Sequence, residues 1–254
     1  MVKILISGCN GHMGRVVADI CAAEADIEVV GGFDLLGQSG QDFPVWSAPN
    51  ACTVAADAVI DFSSPAALDG LLEFGKSRPI PLVLATTGYT QEQLDQIDAA
   101  AQSIPIFRSA NMSLGINVLL DLVRRAAAVL GERFDIEIVE RHHNRKVDAP
   151  SGTALMIAGA AASALPYQAE YVYDRHTVRQ RRGSREIGIS AVRGGNIVGD
   201  HEIIFAGRDE VIELRHSAMG REVFASGAVR AARFLTTVSK PGLYSMSDLV
   251  AEIK

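Results

Sequence analysis

Glycines at positions 8, 11 and 14 open a turn between a β-branched run and a helical stretch, in the segment Gly8-Cys9-Asn10-Gly11-His12-Met13-Gly14-Arg15. A glycine-rich turn at that junction lets the backbone approach a pyrophosphate closely, and the following helix start offers unpaired N–H groups and a partial positive charge. The spacing is GxxGxxG rather than the commoner GxGxxG, and a tight turn needing glycine only for its backbone angles would use the same residues. The distance to the next acidic residue decides between the two. The second predicted strand ends at Asp34, twenty residues after Gly14, where a carboxylate accepts hydrogen bonds from the adenosine ribose hydroxyls of a bound dinucleotide. At about 4 Å and an effective dielectric of about 20, the same carboxylate would repel a 2′-phosphate by about 4 kcal/mol per charge pair unless a cation sat beside it. Leu35 and Leu36 follow and neither is a cation, so the expectation is NADH ahead of NADPH.

The rest of the first half agrees with this reading. Short apolar runs over 2–7, 27–33, 58–62, 81–86 and 104–108 alternate with helical stretches over 12–24, 65–76 and 91–102, which predicts βαβ units around a doubly wound, Rossmann-like parallel sheet. Thr90 and Gln93 have the spacing of a capping box. Two loops, Ala85-Thr86-Thr87-Gly88 and Ser109-Ala110-Asn111-Met112, fall at the carboxyl ends of later strands, where open α/β sheets bind ligands. Both are small and polar enough to face a nicotinamide or its ribose, although ordinary turn chemistry would supply similar residues.

After residue 113 the texture changes. A long helix over 114–130 leads into 134–140, where Phe134, Ile136 and Ile138 alternate as in a strand with one buried face. A polar loop over 141–150 precedes an alanine-rich helix over 152–165. Runs over 187–193, 197–206 and 211–216 follow with no helix between them, which implies an antiparallel or mixed sheet in a separate α+β domain. The tail, 222–237 and 246–253, is helical again. The expected organisation is a discontinuous dinucleotide domain, 1–113 and 221–254, enclosing a second, α+β domain, 114–220.

The most informative segment lies in that inserted domain: Glu140-Arg141-His142-His143-Asn144-Arg145-Lys146-Val147-Asp148-Ala149-Pro150-Ser151-Gly152-Thr153. The chain as a whole is acidic, 24 basic against 30 acidic side chains for a net −6, so five actual or potential cations in six positions make a local anion site. No general affinity for nucleic acid or an anionic membrane follows from such a balance. The loop runs into a helix start with Ser151 as the expected N-cap, and cations and open N–H groups there can converge on a carboxylate-bearing substrate. A hydride donor calls for a proton source, and His142 or His143 fits, with Lys146 as a cation or second acid. A solvated charged loop is the bland alternative. A metal site is not expected, since adjacent histidines diverge, HExxH is absent and no cysteine is near. Five arginines between Arg175 and Arg185 read as a solvated connection without chemistry.

Cys9, Cys21 and Cys52 form an odd set without a CxxC pair, which fits a reducing cytoplasm and no disulfide framework. The stretch 154–165 is too short to span a membrane. Too few apolar residues precede Cys9 for the lipoprotein-like Ile6-Ser7-Gly8-Cys9 to act as a signal.

With these residues in view, the sequence resembles the dihydrodipicolinate reductases, the 4-hydroxy-tetrahydrodipicolinate reductases of the bacterial and plant diaminopimelate route to lysine. GCNGHMGR, DFSSP, ATTG, SANMSLGINV, ERHHNRKVDAPSGTA, AVRGGNIVGDHEIIF and FASGAVRAARFL each stand where that family has counterparts. The resemblance implies a homotetramer whose second domain, 114–220, supplies substrate binding and oligomerisation, and which reduces a cyclic dicarboxylate to tetrahydrodipicolinate with NADH or NADPH. It implies that Gly8, Cys9, Asn10, Gly11, His12 and Met13 hold the pyrophosphate and Asp34 the ribose. Ala85, Thr86 and Thr87 with Ser109, Ala110, Asn111 and Met112 would line the nicotinamide side. His142 would be proton donor or acceptor, Lys146 proton donor, His143 a substrate contact, and Gly152 with Thr153 the carboxylate cradle. The family commonly has glycine where Ala85 stands, and some members carry arginine where Leu35 stands. Another nicotinamide-dependent dehydrogenase of a small carboxylate, or a non-catalytic dinucleotide sensor, would share the glycine turn without needing this loop.

Overall fold

The computed structural model describes residues 1–37 and 40–252. Its contacts divide the chain into one unit formed by Met1–Leu114 with Glu222–Lys254 and a second formed by Gly115–Arg221. In chain order the first unit contains β1 (Val2–Ser7), α1 (His12–Ala22), β2 (Ile27–Phe33), β3 (Val45–Trp46), β4 (Ala58–Asp61), α2 (Leu68–Ser77), β5 (Leu82–Leu84), α3 (Gln91–Ala100) and β6 (Pro105–Arg108). The second is built from α4 (Leu114–Leu130), β7 (Asp135–His142), α5 (Gly152–Ala162), β8 (Glu170–Val172), β9 (Glu186–Arg193), β10 (Gly199–Ala206) and β11 (Val211–Ala218). The chain returns to the first unit with α6 (Glu222–Thr237), β12 (Gly242–Tyr244) and α7 (Met246–Glu252). Ile253, at the end of the expected tail helix, lies outside the described residues.

Sheet order in the first unit is β12-β6-β5-β4-β1-β2-β3, and every pairing is parallel. A parallel sheet is buried on both faces, and β1 shows how the sequence meets that demand. Ile4 and Ile6 pack with Val17 and Cys21 of α1 and with Ala228, Val229 and Leu235 of α6. Leu5, one residue out of phase, joins Leu68, Leu71 and Leu72 of α2 and Ile97 and Ala100 of α3 on the opposite face. All three strand residues are fully buried, each worth about 1.5–3 kcal/mol relative to exposure. The strand order reverses between β1 and β4, so the crevice beyond their carboxyl ends is a topological switch point. The predicted capping box forms: Thr90 Oγ1 accepts from Gln93 N while Gln93 Oε1 accepts from Thr90 N. The helix expected over 65–76 instead opens with a 3-10 turn, Pro65–Ala67, before α2.

The second unit carries a mixed sheet, β11-β10-β7-β9-β8, in which β10 pairs antiparallel with β7 and β11, and β9 pairs parallel with β7 and β8. Ile136 and Ile138 of β7, Ile187 and Ile189 of β9, and Ile203 and Phe205 of β10 form one apolar face against α4 and α5. Alanines 154, 158, 160 and 161 give α5 a smooth side for that contact. Period two then dictates what lies further along the same face: Glu140 and His142 on β7, Arg193 on β9, and His201 on β10.

Two expectations are corrected here. β7 does not stop at residue 140; its ladders continue through Arg141↔Asp200 and His142↔Arg193, so His142 is a strand residue. Nor is the arginine-rich segment simply solvated. Arg175 pairs with Glu137 at 2.6 Å and Glu186 at 2.5 Å, and Arg182 pairs with Asp135 at 2.6 Å and Glu137 at 3.1 Å. Arg182 also donates to the carbonyls of Ile136 and Glu186. Carboxylates on the solvent-side face and edge of β7 and β9 gather these guanidinium groups, while Arg179 and Arg181 remain exposed.

Candidate active site

Each unit presents one polar constellation. In the first, the turn after β1 is pinned by Gly8 N donating to Phe33 O at 2.8 Å and Gly11 N donating to Gly8 O at 3.0 Å. Gly8 has φ +76°, and a Cβ there would press against the Phe62 carbonyl at the end of β4. A Cβ on Gly14 would run into the Gly8 carbonyl oxygen, so the helix can lie this close to the turn only with glycine at both positions. Gly11 caps α1 without a side-chain hydrogen bond, which leaves the positive end of the helix open.

Asp34 closes the turn from the side. Its Oδ2 accepts from Asn10 N and its Oδ1 from Leu36 N, each at 3.1 Å, and each oxygen keeps a further acceptor site. Asn10 Nδ2 donates to Gly37 O at 3.0 Å, and Asn10 Oδ1 is buried with no hydrogen-bond partner. An open helix start, an orphaned buried amide oxygen and a carboxylate with spare acceptor capacity fit a dinucleotide with its pyrophosphate on the turn. Cys9 can offer only its backbone: the thiol is in the core, packed where a Cβ on Gly32 would sit, and burial followed by the Asp34 charge pushes its pKa up to about 11. His12 is exposed and Met13 half-buried.

Ala85 N donates to Asp61 O at 3.0 Å, and Thr87 is exposed in the loop that follows β5. Ser109 Oγ donates to Asn111 O at 3.0 Å and Asn111 Oδ1 accepts from Ser113 N at 2.8 Å, which folds this loop on itself. Ala110 is exposed, whereas the Met112 side chain belongs to the core.

The second unit holds the denser constellation. Glu140, wholly buried at 0% exposure, receives Arg193 through two guanidinium bonds, Nη1 to Oε2 at 2.8 Å and Nη2 to Oε1 at 2.7 Å. Ser151 N donates to Oε1 at 3.0 Å, and His142 Nδ1 lies 2.6 Å from Oε2. Burial alone would raise the Glu140 pKa, but Arg193, His142 and the Ser151 N–H outweigh it and hold the carboxyl below the ordinary range. Ser151 is the N-cap of α5 as expected, its Oγ accepting from Ala154 N at 3.1 Å. The same hydroxyl meets His201 Nε2 at 2.9 Å. His201 stands edge-on to His142 with ring centroids 5.1 Å apart, and burial, then the neighbouring His142, push its pKa down to about 4.

Around this centre the loop divides. Lys146 Nζ pairs with Asp148 at 2.8 Å and holds that carboxyl below its usual range. His143 is half-buried, its Nδ1 has no partner, and burial together with Arg145, His142, Arg221 and Lys146 lowers its pKa. Each of these influences disfavours the imidazolium form of His143. Gly152 is exposed, and a Cβ there would meet nothing within 4 Å, so the start of α5 is open beside Thr153. The expected convergence of five cations is corrected: Arg141, opposite in phase to His142, turns to the other face of the sheet and pairs with Glu202 at 3.0 Å. Arg145 donates to Asn196 Oδ1 at 3.0 Å.

Sequence reasoning assigned no role to Glu140, Arg193 or His201. The alternation Phe134, Ile136, Ile138 continued two steps further names Glu140 and His142 as inward-facing, and that was the available signal. Among the described residues no group of three or more His, Cys, Asp or Glu side chains is arranged to hold a metal ion, and no helix is long and apolar enough to cross a membrane.

Comparison with known proteins gives consistent results. The family "Dihydrodipicolinate reductase, N-terminus" matches residues 2–112 and "Dihydrodipicolinate reductase, C-terminus" matches residues 115–250. A 4-hydroxy-tetrahydrodipicolinate reductase from Caldanaerobacter subterraneus subsp. tengcongensis is 55% identical over 250 residues, 98% of each chain. One from Caulobacter vibrioides is 46% identical over 253 residues, 98% of this chain and 97% of that one. Among solved structures, dipicolinate-bound dihydrodipicolinate reductase from Paenisporosarcina sp. TG-14 superposes with TM-score 0.81 at 25% identity, covering 96% of this chain and 97% of that one.

Proposed function

Because the chain belongs to the dihydrodipicolinate reductase family, we propose that it reduces 4-hydroxy-tetrahydrodipicolinate to tetrahydrodipicolinate, with His142 and Lys146 managing the proton. The observation that carries this reading is the His142 ring held by a buried carboxylate, on the same short segment as Lys146 and the open start of α5. A nicotinamide cofactor, which this family uses, supplies the hydride when bound. The remaining chemistry falls to side chains. Loss of the 4-hydroxyl as water leaves a conjugated dihydro ring; a hydride added to that ring drives electrons to the neighbouring carbon, and His142, backed by Lys146, delivers the proton that completes the reduction. The open helix start at Gly152 and Thr153 receives one substrate carboxylate, and His143 contacts the ring substituents as a neutral donor. On the cofactor side, Gly8 to Met13 hold the pyrophosphate and Asp34 the ribose. Ala85, Thr86, Thr87 and Ser109 to Met112 face the nicotinamide.

The reading is tested by supplying freshly made dihydrodipicolinate synthase product and following loss of NADH absorbance. Binding of NADH without turnover would favour the sensor, and turnover only with other carboxylates would favour a different dehydrogenase. A homotetramer in the cytoplasm completes the proposal; light scattering at one, two or three chain masses would remove the tetramer.

The cofactor preference follows from Asp34. Leu35 and Leu36 are 91% and 81% exposed beside it and bring no positive charge. We expect kcat/KM to be at least about tenfold higher with NADH than with NADPH, a modest share of the unscreened repulsion. Arg15, whose Nε donates to Asn10 O at 3.1 Å, is the cation that would have to serve a 2′-phosphate. Equal kcat/KM for the two cofactors would mean that it does, and would overturn the preference.

A further inference from the structure

We propose that Glu140 is a positioning residue for the reduction: it fixes the tautomer and orientation of His142 so that Nε2 is the atom that exchanges the substrate proton. The inference rests on the reading of His142 as the proton-handling residue. Its physical basis is the saturation of one carboxylate. A carboxylate offers about four acceptor sites, and Glu140 fills two on each oxygen. Oε1 accepts from Ser151 N and Arg193 Nη2; Oε2 accepts from Arg193 Nη1 and His142 Nδ1. An ionised carboxylate only accepts, so His142 Nδ1 must carry a hydrogen, and the other ring nitrogen is left to gain or lose one.

Three elements hold this carboxylate in place. Glu140 and His142 share the inward face of β7, Arg193 arrives from β9 in register with His142, and the Ser151 N–H comes from the cap of α5. Such over-determination locks the rotamer of the orienting group, which is what a precisely held proton donor needs. Arg193 also offsets the buried negative charge, so Glu140 orients the ring without leaving an uncompensated carboxylate beside it. On the far side of the imidazole, Gly199 lacks the Cβ that would stand 3.1 Å from His142 Nε2. His201 approaches the ring edge-on, and its bond to Ser151 engages its own Nε2. Neither neighbour takes the His142 Nε2 position as a hydrogen-bond partner.

The test begins with the unmodified protein. In long-range 1H–15N spectra of histidine-labelled enzyme at mildly alkaline pH, the His142 resonances are assigned by their loss in His142→Gln. The expected pattern is protonated Nδ1 and bare Nε2; the opposite tautomer overturns the proposal without any variant having to fold. In Glu140→Gln the amide turns a donor toward either His142 or the Ser151 N–H, and in both orientations it opposes Arg193. There kcat is expected to fall at least about tenfold with NADH dissociation unchanged, and in the orientation that turns the amide NH2 toward His142 the ring signal moves toward the Nε2–H form. Unchanged kcat and an unchanged tautomer in the folded variant would also overturn it. Near-wild-type turnover in His142→Gln is a different failure: it removes the proton-handling reading, while the tautomer spectrum still reports whether Glu140 orients the ring.

Discussion

His142→Gln is expected to lower kcat by about 10²–10⁴-fold, the usual contribution of a positioned general acid, while the Kd for NADH stays close to that of the parent protein. Glutamine is short enough to remain on the inward face of β7 and can still donate toward Glu140, so the fold of this end of the sheet survives. What it cannot do is release a proton at neutral pH. The loss should therefore appear in kcat and kcat/KM together, as for an interaction made only in the transition state. Lys146→Ala is expected to act in the same direction, and it also frees Asp148, whose carboxyl is held low chiefly by the Lys146 ammonium. Steady-state kinetics beside a fluorescence titration with NADH checks both. Near-wild-type turnover in the two variants would strip His142 and Lys146 of their roles.

The contrast between what the sequence discloses and what it hides has a physical cause. Glycine at positions 8 and 14 is required by backbone approach, a purely local demand, and Asp34 sits at a fixed chain distance from it, so that site is readable from spacing. β1 is readable because Ile4, Leu5 and Ile6 are all apolar, as a strand covered on both faces must be. The hub at Glu140 is written in long-range register. Arg193 is 53 residues away and His201 is 50 residues from Ser151, and only the β7–β9 and β7–β10 ladders bring them together. The polar residues that make the end of β7 useful also disguise it as loop, since Glu140 to His142 break the apolar alternation that marks a strand. For the same reason Arg141 counted as a member of the cationic cluster although its phase sends it to the opposite face. In the arginine-rich segment, the partners of Arg175 and Arg182 lie mostly on β7, and no local pattern shows them.

Arg193→Met should be the most damaging single change to the stability of the second unit. Removing one partner of a buried ion pair costs about 3–5 kcal/mol, because the remaining charge is left without compensation. At about 2–4 °C per kcal/mol for a chain of this size, a melting temperature lower by about 6–20 °C is expected at pH 8. The pH dependence identifies the cause. In the parent protein the Glu140 pKa is depressed in the folded state, so its contribution is fully present above the unfolded carboxyl value of about 4.3 and is lost as pH falls through the folded value. In Arg193→Met the largest opposing influence is gone while burial still acts to raise the pKa, so the folded-state pKa is expected to rise from its depressed position. The carboxyl then takes up a proton at a higher pH than in the parent, so acidification costs the variant less than it costs the parent. The gap in melting temperature should therefore narrow between pH 8 and pH 5. Glu140→Gln combined with Arg193→Met should be less destabilised at pH 8 than the sum of the two single variants, since the double change leaves no buried charge to strand. A gap that stays constant with pH, or two losses that simply add, would mean that Arg193 acts through packing alone.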